Sequence, residues 1–244
     1  MIVLSEDKMS KLYIRYIPKV EGENTDFKIV ESLKKYMQSN LGKNNIIAAP
    51  GYMSSYAKVK DFVKEFKNIV PKKEEFVYIG YFKCLNWEKI FGRRTSNIII
   101  SEHYKELQKT GKFKKIKIRI SNKKDHRKMI FLFEIVANSS FDFKVDILDK
   151  TNKDIFLSSI IVNAILIGSS NQSYNTYYGG GKGKADKGEA DVLMFVSDES
   201  VNLIRENMDI EGTIVFEEIC GIGNKSPHEY LKDILNDFLS KSLL

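Results

Sequence analysis

The sequence predicts an α/β fold, a sheet covered by helices on both faces. Short apolar runs rich in β-branched and aromatic residues recur along the chain, and between them apolar residues return at helical spacing. The chain is also large enough to enclose such a core. Its 244 residues with 43% hydrophobic content read as one domain, 1–244.

Residues 11–17, Lys-Leu-Tyr-Ile-Arg-Tyr-Ile, alternate as a strand does. Phe27, Val30, Leu33, Tyr36 and Met37 follow at helical spacing. Residues 46–49 form a short strand of buried type, stopped by Pro50-Gly51. Val59, Phe62, Val63, Phe66 and Ile69 mark a second amphipathic helix, which Pro71 closes. Residues 76–82 and 97–100 read as strands and 102–109 as a helix. Residues 113–120 read as a strand with Ile116, Ile118 and Ile120 on one face and Lys115, Lys117 and Arg119 on the other.

Three further apolar runs, 129–133, 164–167 and 192–196, have strand length. Residues 137–159 read as an inserted hairpin with its turn near 149–152. Residues 174–188, with five glycines and three lysines, read as a flexible loop. The clearest helix opens at Ser226-Pro227-His228-Glu229, a capping box with proline at the first helical position. Tyr230, Ile234, Leu235, Phe238 and Leu239 supply its buried face.

Composition narrows the function classes. The longest apolar run, 160–167, is interrupted by Asn163 and falls well short of the roughly 18 residues of a membrane span. The first seven residues lack the basic region and apolar core of a signal peptide. Cys84 and Cys220 are too few for a disulfide framework, so a cytoplasmic location is expected. The net charge of +7 is clustered: residues 109–128 hold ten Lys or Arg and one carboxylate, Asp125. A single-sign segment of that kind suits a phosphate backbone.

The chemistry-bearing residues gather between Asp125 and Asp191. His126 and Lys128 precede an apolar run at an i, i+2 spacing, which on a strand aims both at one side. The run 164–167 empties into Gly168-Ser169-Ser170-Asn171-Gln172-Ser173, and Glu189 stands before the run 192–196. H-x-K, then strand-G-S-x-N, then Glu before a strand resembles the phospholipase D superfamily, and more closely its single-motif nuclease and restriction-endonuclease branch. The resemblance covers residues 112–197. It departs from the family at Phe133, where many members carry an Asp, and in the long interval from Lys128 to Asn171.

That resemblance implies a phospholipase D-like mixed β-sheet flanked by helices on both faces. It implies a metal-independent phosphodiesterase needing no cofactor, with His126 as nucleophile and acid. Lys128 and Asn171 would bind the phosphate, Ser169 and Ser173 would assist, and Glu189 would orient the imidazole. Three histidines exist; H-x-K occurs at His126-Arg127-Lys128 and also at His103-Tyr104-Lys105 within the expected helix 102–109, and a single strand-borne copy implies a homodimer for a complete site. DNA is the expected substrate, with RNA as the alternative, bound through Lys115, Lys117, Arg119, Lys123, Lys124, Arg127, Lys182 and Lys184. The setting expected is restriction or antiviral defence, with an ATPase or helicase as a further partner.

Other patterns carry less. Gly179-Gly180-Gly181-Lys182-Gly183-Lys184 lacks the ending of a phosphate-binding loop. His103 and His228 read as surface or cap residues, and Trp87 as packing. Two other functions compete: a nucleic-acid-binding subunit that no longer cleaves, and a lipid phosphodiesterase. The second is disfavoured by the absence of an apolar docking segment in the sequence.

Overall fold

The computed structural model describes residues 11–18, 32–33, 36, 45–49, 74–82, 101, 104–109, 111, 113–121, 127–137, 139, 141–142, 147, 149–168, 190–197, 214–218 and 225–243. Within them one mixed sheet contains β1 (Lys11–Pro18), β2 (Asn45–Ala49), β3 (Glu74–Phe82), β4 (Phe113–Ser121), β5 (Lys128–Ile135), β6 (Ile160–Gly168), β7 (Ala190–Ser197) and β8 (Ile214–Glu218). Helices α1 (Lys150–Ser158) and α2 (Pro227–Leu243) accompany it. Residues 32–33, 36 and 104–109 are helical as well.

The strand order is β4-β3-β2-β5-β6-β7-β1-β8. β2, β3 and β4 run parallel, and every pairing from β2–β5 through to β1–β8 is antiparallel. The N-terminal strand is thereby inserted between β7 and β8.

The central strands are apolar along their length because both faces are covered. On one face Phe131, Phe133, Val162 and Ile165 join Phe156 of α1 and Leu231, Leu235, Phe238 and Leu239 of α2 in a single cluster. The Phe131 and Phe238 rings lie 5.2 Å apart, and Phe133 meets Phe156 edge-on at 5.5 Å. On the other face helical Tyr36 packs 5.5 Å from Phe195, whose ring also stacks on Tyr13 at 5.4 Å. Helical residues therefore cover both faces of the sheet.

The C-terminal capping box forms as its residues dictate. Glu229 Oε2 accepts from the Ser226 backbone N–H at 2.6 Å, and the Glu229 N–H donates to Ser226 Oγ at 3.3 Å. Lys153 of α1 bonds Asn236 and Ser240 of α2 at 3.0 and 2.8 Å, joining the two helices on one face.

One sequence expectation is corrected. Residues 150–158 form a helix rather than the second arm of a hairpin. Asp149, expected in the turn, is the N-cap: its carboxylate accepts from the Thr151 N–H at 2.9 Å. The helix buries Phe156 and Leu157 and stops at Ser159, directly before β6. The helix expected at 59–69, the strand at 97–100 and the loop at 174–188 lie outside the described residues.

Asn163 marks an irregularity. Leu132 pairs with Ala164 but Phe133 pairs with Val162, so Asn163 is the extra residue of a β-bulge. Its side chain donates to Glu134 Oε1 at 2.6 Å.

Among the described residues no helix is long and apolar enough to cross a membrane.

Candidate functional site

The strand registers gather one end of the sheet. Lys128 pairs with Gly168, Gly168 with Asp191, and Asp191 with Ile17, a row crossing β5, β6, β7 and β1. Direct cross-strand partners share a face, so Lys128, Gly168 and Asp191 belong to one surface. At this same end β2, β3 and β4 terminate at Ala49, Phe82 and Ser121. In open α/β sheets, ligands bind outside the carboxyl ends of the strands; here the carboxyl ends of β2, β3 and β4 lie on this side, next to antiparallel β5.

Gly168 has a local reason. The Asp191 carboxylate lies over it, and a β-carbon at 168 would collide with that carboxylate and with the Ala190 carbonyl. Asp191 is 2% exposed, and Arg15, one diagonal step away on the same face, is 0% exposed. Buried charges of opposite sign thus stand behind a half-buried Lys128.

Of the residues expected to act, the described structure contains Lys128, at the first position of β5. His126, Ser169, Asn171, Ser173 and Glu189 lie outside the described residues, as do Lys123, Lys124, Lys182 and Lys184. Lys115, Lys117 and Arg119 occupy alternate positions of β4, in register with Phe76, Tyr78 and Gly80 of β3. Their strand is three places from β5, on the order of 14 Å across the sheet.

Arg127 is engaged elsewhere. Its guanidinium carbon sits 4.5 Å from the centre of the Phe238 ring, and an NH2 group donates to the Phe238 carbonyl at 3.3 Å. The side chain therefore anchors α2 on the face opposite the Lys128 row.

No protein-family model matches this chain, and no curated protein does.

Sequence reasoning missed Asp191 and Arg15. Asp191 stands two residues after Glu189 at the head of an apolar run, where a carboxylate is out of place unless paired. That signal was available. Arg15 was legible only as one polar position of an alternating strand, and its burial comes from the insertion of β1 between two partners. His228, read as a surface or cap residue, is half-buried and reaches Val162 across 3.0 Å. Among the described residues no group of His, Cys, Asp or Glu is arranged to hold a metal ion.

Proposed function

We propose that this protein is a metal-independent phosphodiesterase of phospholipase D-like fold that cleaves DNA as a homodimer. One observation carries the reading: Lys128, Gly168 and Asp191 stand in register across three adjacent strands. The H-x-K sequence enters at the first of these points, G-S-x-N leaves at the second, and Glu189 precedes the third by two residues. At about 3.5 Å of chain per residue, two or three residues are a short tether. Three segments far apart in sequence thus converge on one sheet end, as a shared site requires.

The chemistry needs a nucleophile, a proton donor and cations around the phosphoryl oxygens. His126 attacks phosphorus and its dimer mate protonates the leaving oxygen, after which the phosphohistidine is hydrolysed. Lys128 and Asn171 stabilise the charge on the non-bridging oxygens, Ser169 and Ser173 assist, and Glu189 fixes the imidazole tautomer.

Nucleic acid is favoured over lipid by the basic segment 109–128. Its β4 portion ends at the site end of the sheet, and the chain from Ser121 to Lys128 links that strand to β5. In this reading Lys115, Lys117, Arg119, Lys123 and Lys124 of that segment are the residues that bind the phosphate backbone. A role in restriction or antiviral defence, with an ATPase or helicase partner, belongs to the same reading.

The deciding experiment is cleavage of supercoiled plasmid, single-stranded DNA and RNA in excess EDTA. Wild type is expected to cut and His126→Ala not to cut. Metal-dependent cutting that is indifferent to His126 overturns the reading. Salt-sensitive binding without any cutting would favour the nucleic-acid-binding subunit instead.

A further inference from the structure

We infer that Arg127 is a positioning residue: clamped onto Phe238 of α2, it sets the direction in which the His126-Arg127-Lys128 segment enters the sheet. The clamp has two parts on one residue. The Arg127 guanidinium carbon lies 4.5 Å from the centre of the Phe238 ring, and an NH2 group donates to the Phe238 carbonyl at 3.3 Å. A planar cation can stack on a ring and bond the carbonyl beside it at once, which a lysine ammonium on its flexible stem does not reproduce.

Phe238 is itself fixed. It is 2% exposed, and its ring meets Phe131 of β5 at 5.2 Å within the cluster that joins β5 to α2. One ring therefore touches the same stretch of chain twice, at Phe131 inside the sheet and at Arg127 just before it. Arg127 thereby lies on the face of Met129 and Phe131, continuing their alternation one residue beyond β5.

The position matters because strand pairing thins out there. Ile130 and Met129 pair on both sides, with Ala48 and Ala49 of β2 and with Leu166 and Ile167 of β6. At Lys128 the ladder to β6 continues, through Gly168, while the ladder to β2 has stopped at Met129. Arg127 precedes β5 altogether. What the ladders no longer dictate, the side-chain clamp does: with Arg127 held to the α2 face, Lys128 is kept to the opposite one, in the row of Gly168. His126 is a single peptide bond away, about 3.8 Å between Cα atoms, so the clamp limits its range as well.

The clamp rests on contacts in the structure, and its value for cleavage rests on the phosphodiesterase reading. Two measurements keep these apart. Amide hydrogen exchange followed by NMR reads the clamp without turnover. In Arg127→Ala, exchange at Lys128 and Met129 should speed up about tenfold more than at Leu132, deeper in the same strand. Plasmid cleavage in excess EDTA reads its use. There kcat per folded molecule should fall roughly ten- to a hundredfold with KM unchanged, as misplaced reacting groups require.

Arg127→Lys keeps the charge but not the planar fork, and should behave as the alanine variant does. It also serves if the alanine variant does not fold. Equal acceleration at Lys128 and Leu132 overturns the inference and leaves Arg127 a general stabiliser of α2. Wild-type kcat in folded Arg127→Lys overturns it too, since a positive charge alone would then suffice. If the selective exchange appears and the wild-type protein cleaves nothing, the clamp stands and the catalytic reading falls.

Discussion

His228 on α2 donates its Nδ1–H to the Val162 carbonyl of β6 across 3.0 Å. A carbonyl can only accept, so this bond requires a proton on Nδ1. Val162 is the residue beside the β-bulge, and the histidine pins the start of α2 to the most irregular point of the sheet. His228→Ala leaves that carbonyl without the ring, and is expected to lower stability by about 1–3 kcal/mol in urea denaturation. Cleavage per folded molecule should be unchanged, in contrast to His126→Ala.

Arg127 gives a second separation of roles. With its guanidinium over Phe238 and bonded to the same residue's carbonyl, it holds α2 rather than a phosphate. Arg127→Ala is expected to lose about 1 kcal/mol of stability. The slope of log affinity for DNA against log salt should stay as in wild type. Lys123→Ala with Lys124→Ala should flatten that slope by close to two phosphate contacts, roughly 0.9 each on duplex DNA.

Helix α1 is part of the core. Phe156 is fully buried between Phe133 and Phe141, so Phe156→Ala should cost about 3–5 kcal/mol. Thermal denaturation would read that as a large fall in Tm. A mere dispensable insertion would tolerate the change.

The α2 cap should respond to acid. The Ser226 backbone N–H, and then its hydroxyl, hold the Glu229 carboxyl below the ordinary glutamate range. A depressed carboxyl contributes stability that is present above its unfolded pKa and is lost as pH falls through the folded one. Wild type should therefore lose cap stability below the usual glutamate range. In Glu229→Gln that part of the stability–pH curve should flatten, since the amide does not titrate.

Much of this was legible in the chain. The runs 129–133, 164–167 and 192–196 lie within β5, β6 and β7, because a strand buried on both faces needs apolar residues throughout. The capping box was legible because Ser226 and Glu229 satisfy each other locally. Residues 150–158 were not legible as a helix: Asp149 suits a turn and an N-cap alike, and only the burial of Phe156 and Leu157 decides between them. β8, Ile-Val-Phe-Glu-Glu, was not legible because its apolar residues run into two glutamates rather than into a turn signal such as the Pro50-Gly51 that closes the equally short β2. The row linking Lys128, Gly168 and Asp191 depends on strand order, a non-local property that no window of sequence contains.

The placement of β1 bears on how the protein is made. Leu12 is paired with Val196 on one side and Glu218 on the other. β1 is thus an inner strand whose two neighbours both follow it far later in the sequence. Until translation has passed Glu218, those two ladders cannot both form, and this part of the sheet cannot be assembled strand by strand in chain order. Pairings so distant in sequence slow folding and leave strands exposed while they wait. For this chain, the nascent state is a prolonged one in which chaperones would find the alternating segment 11–18 unpaired.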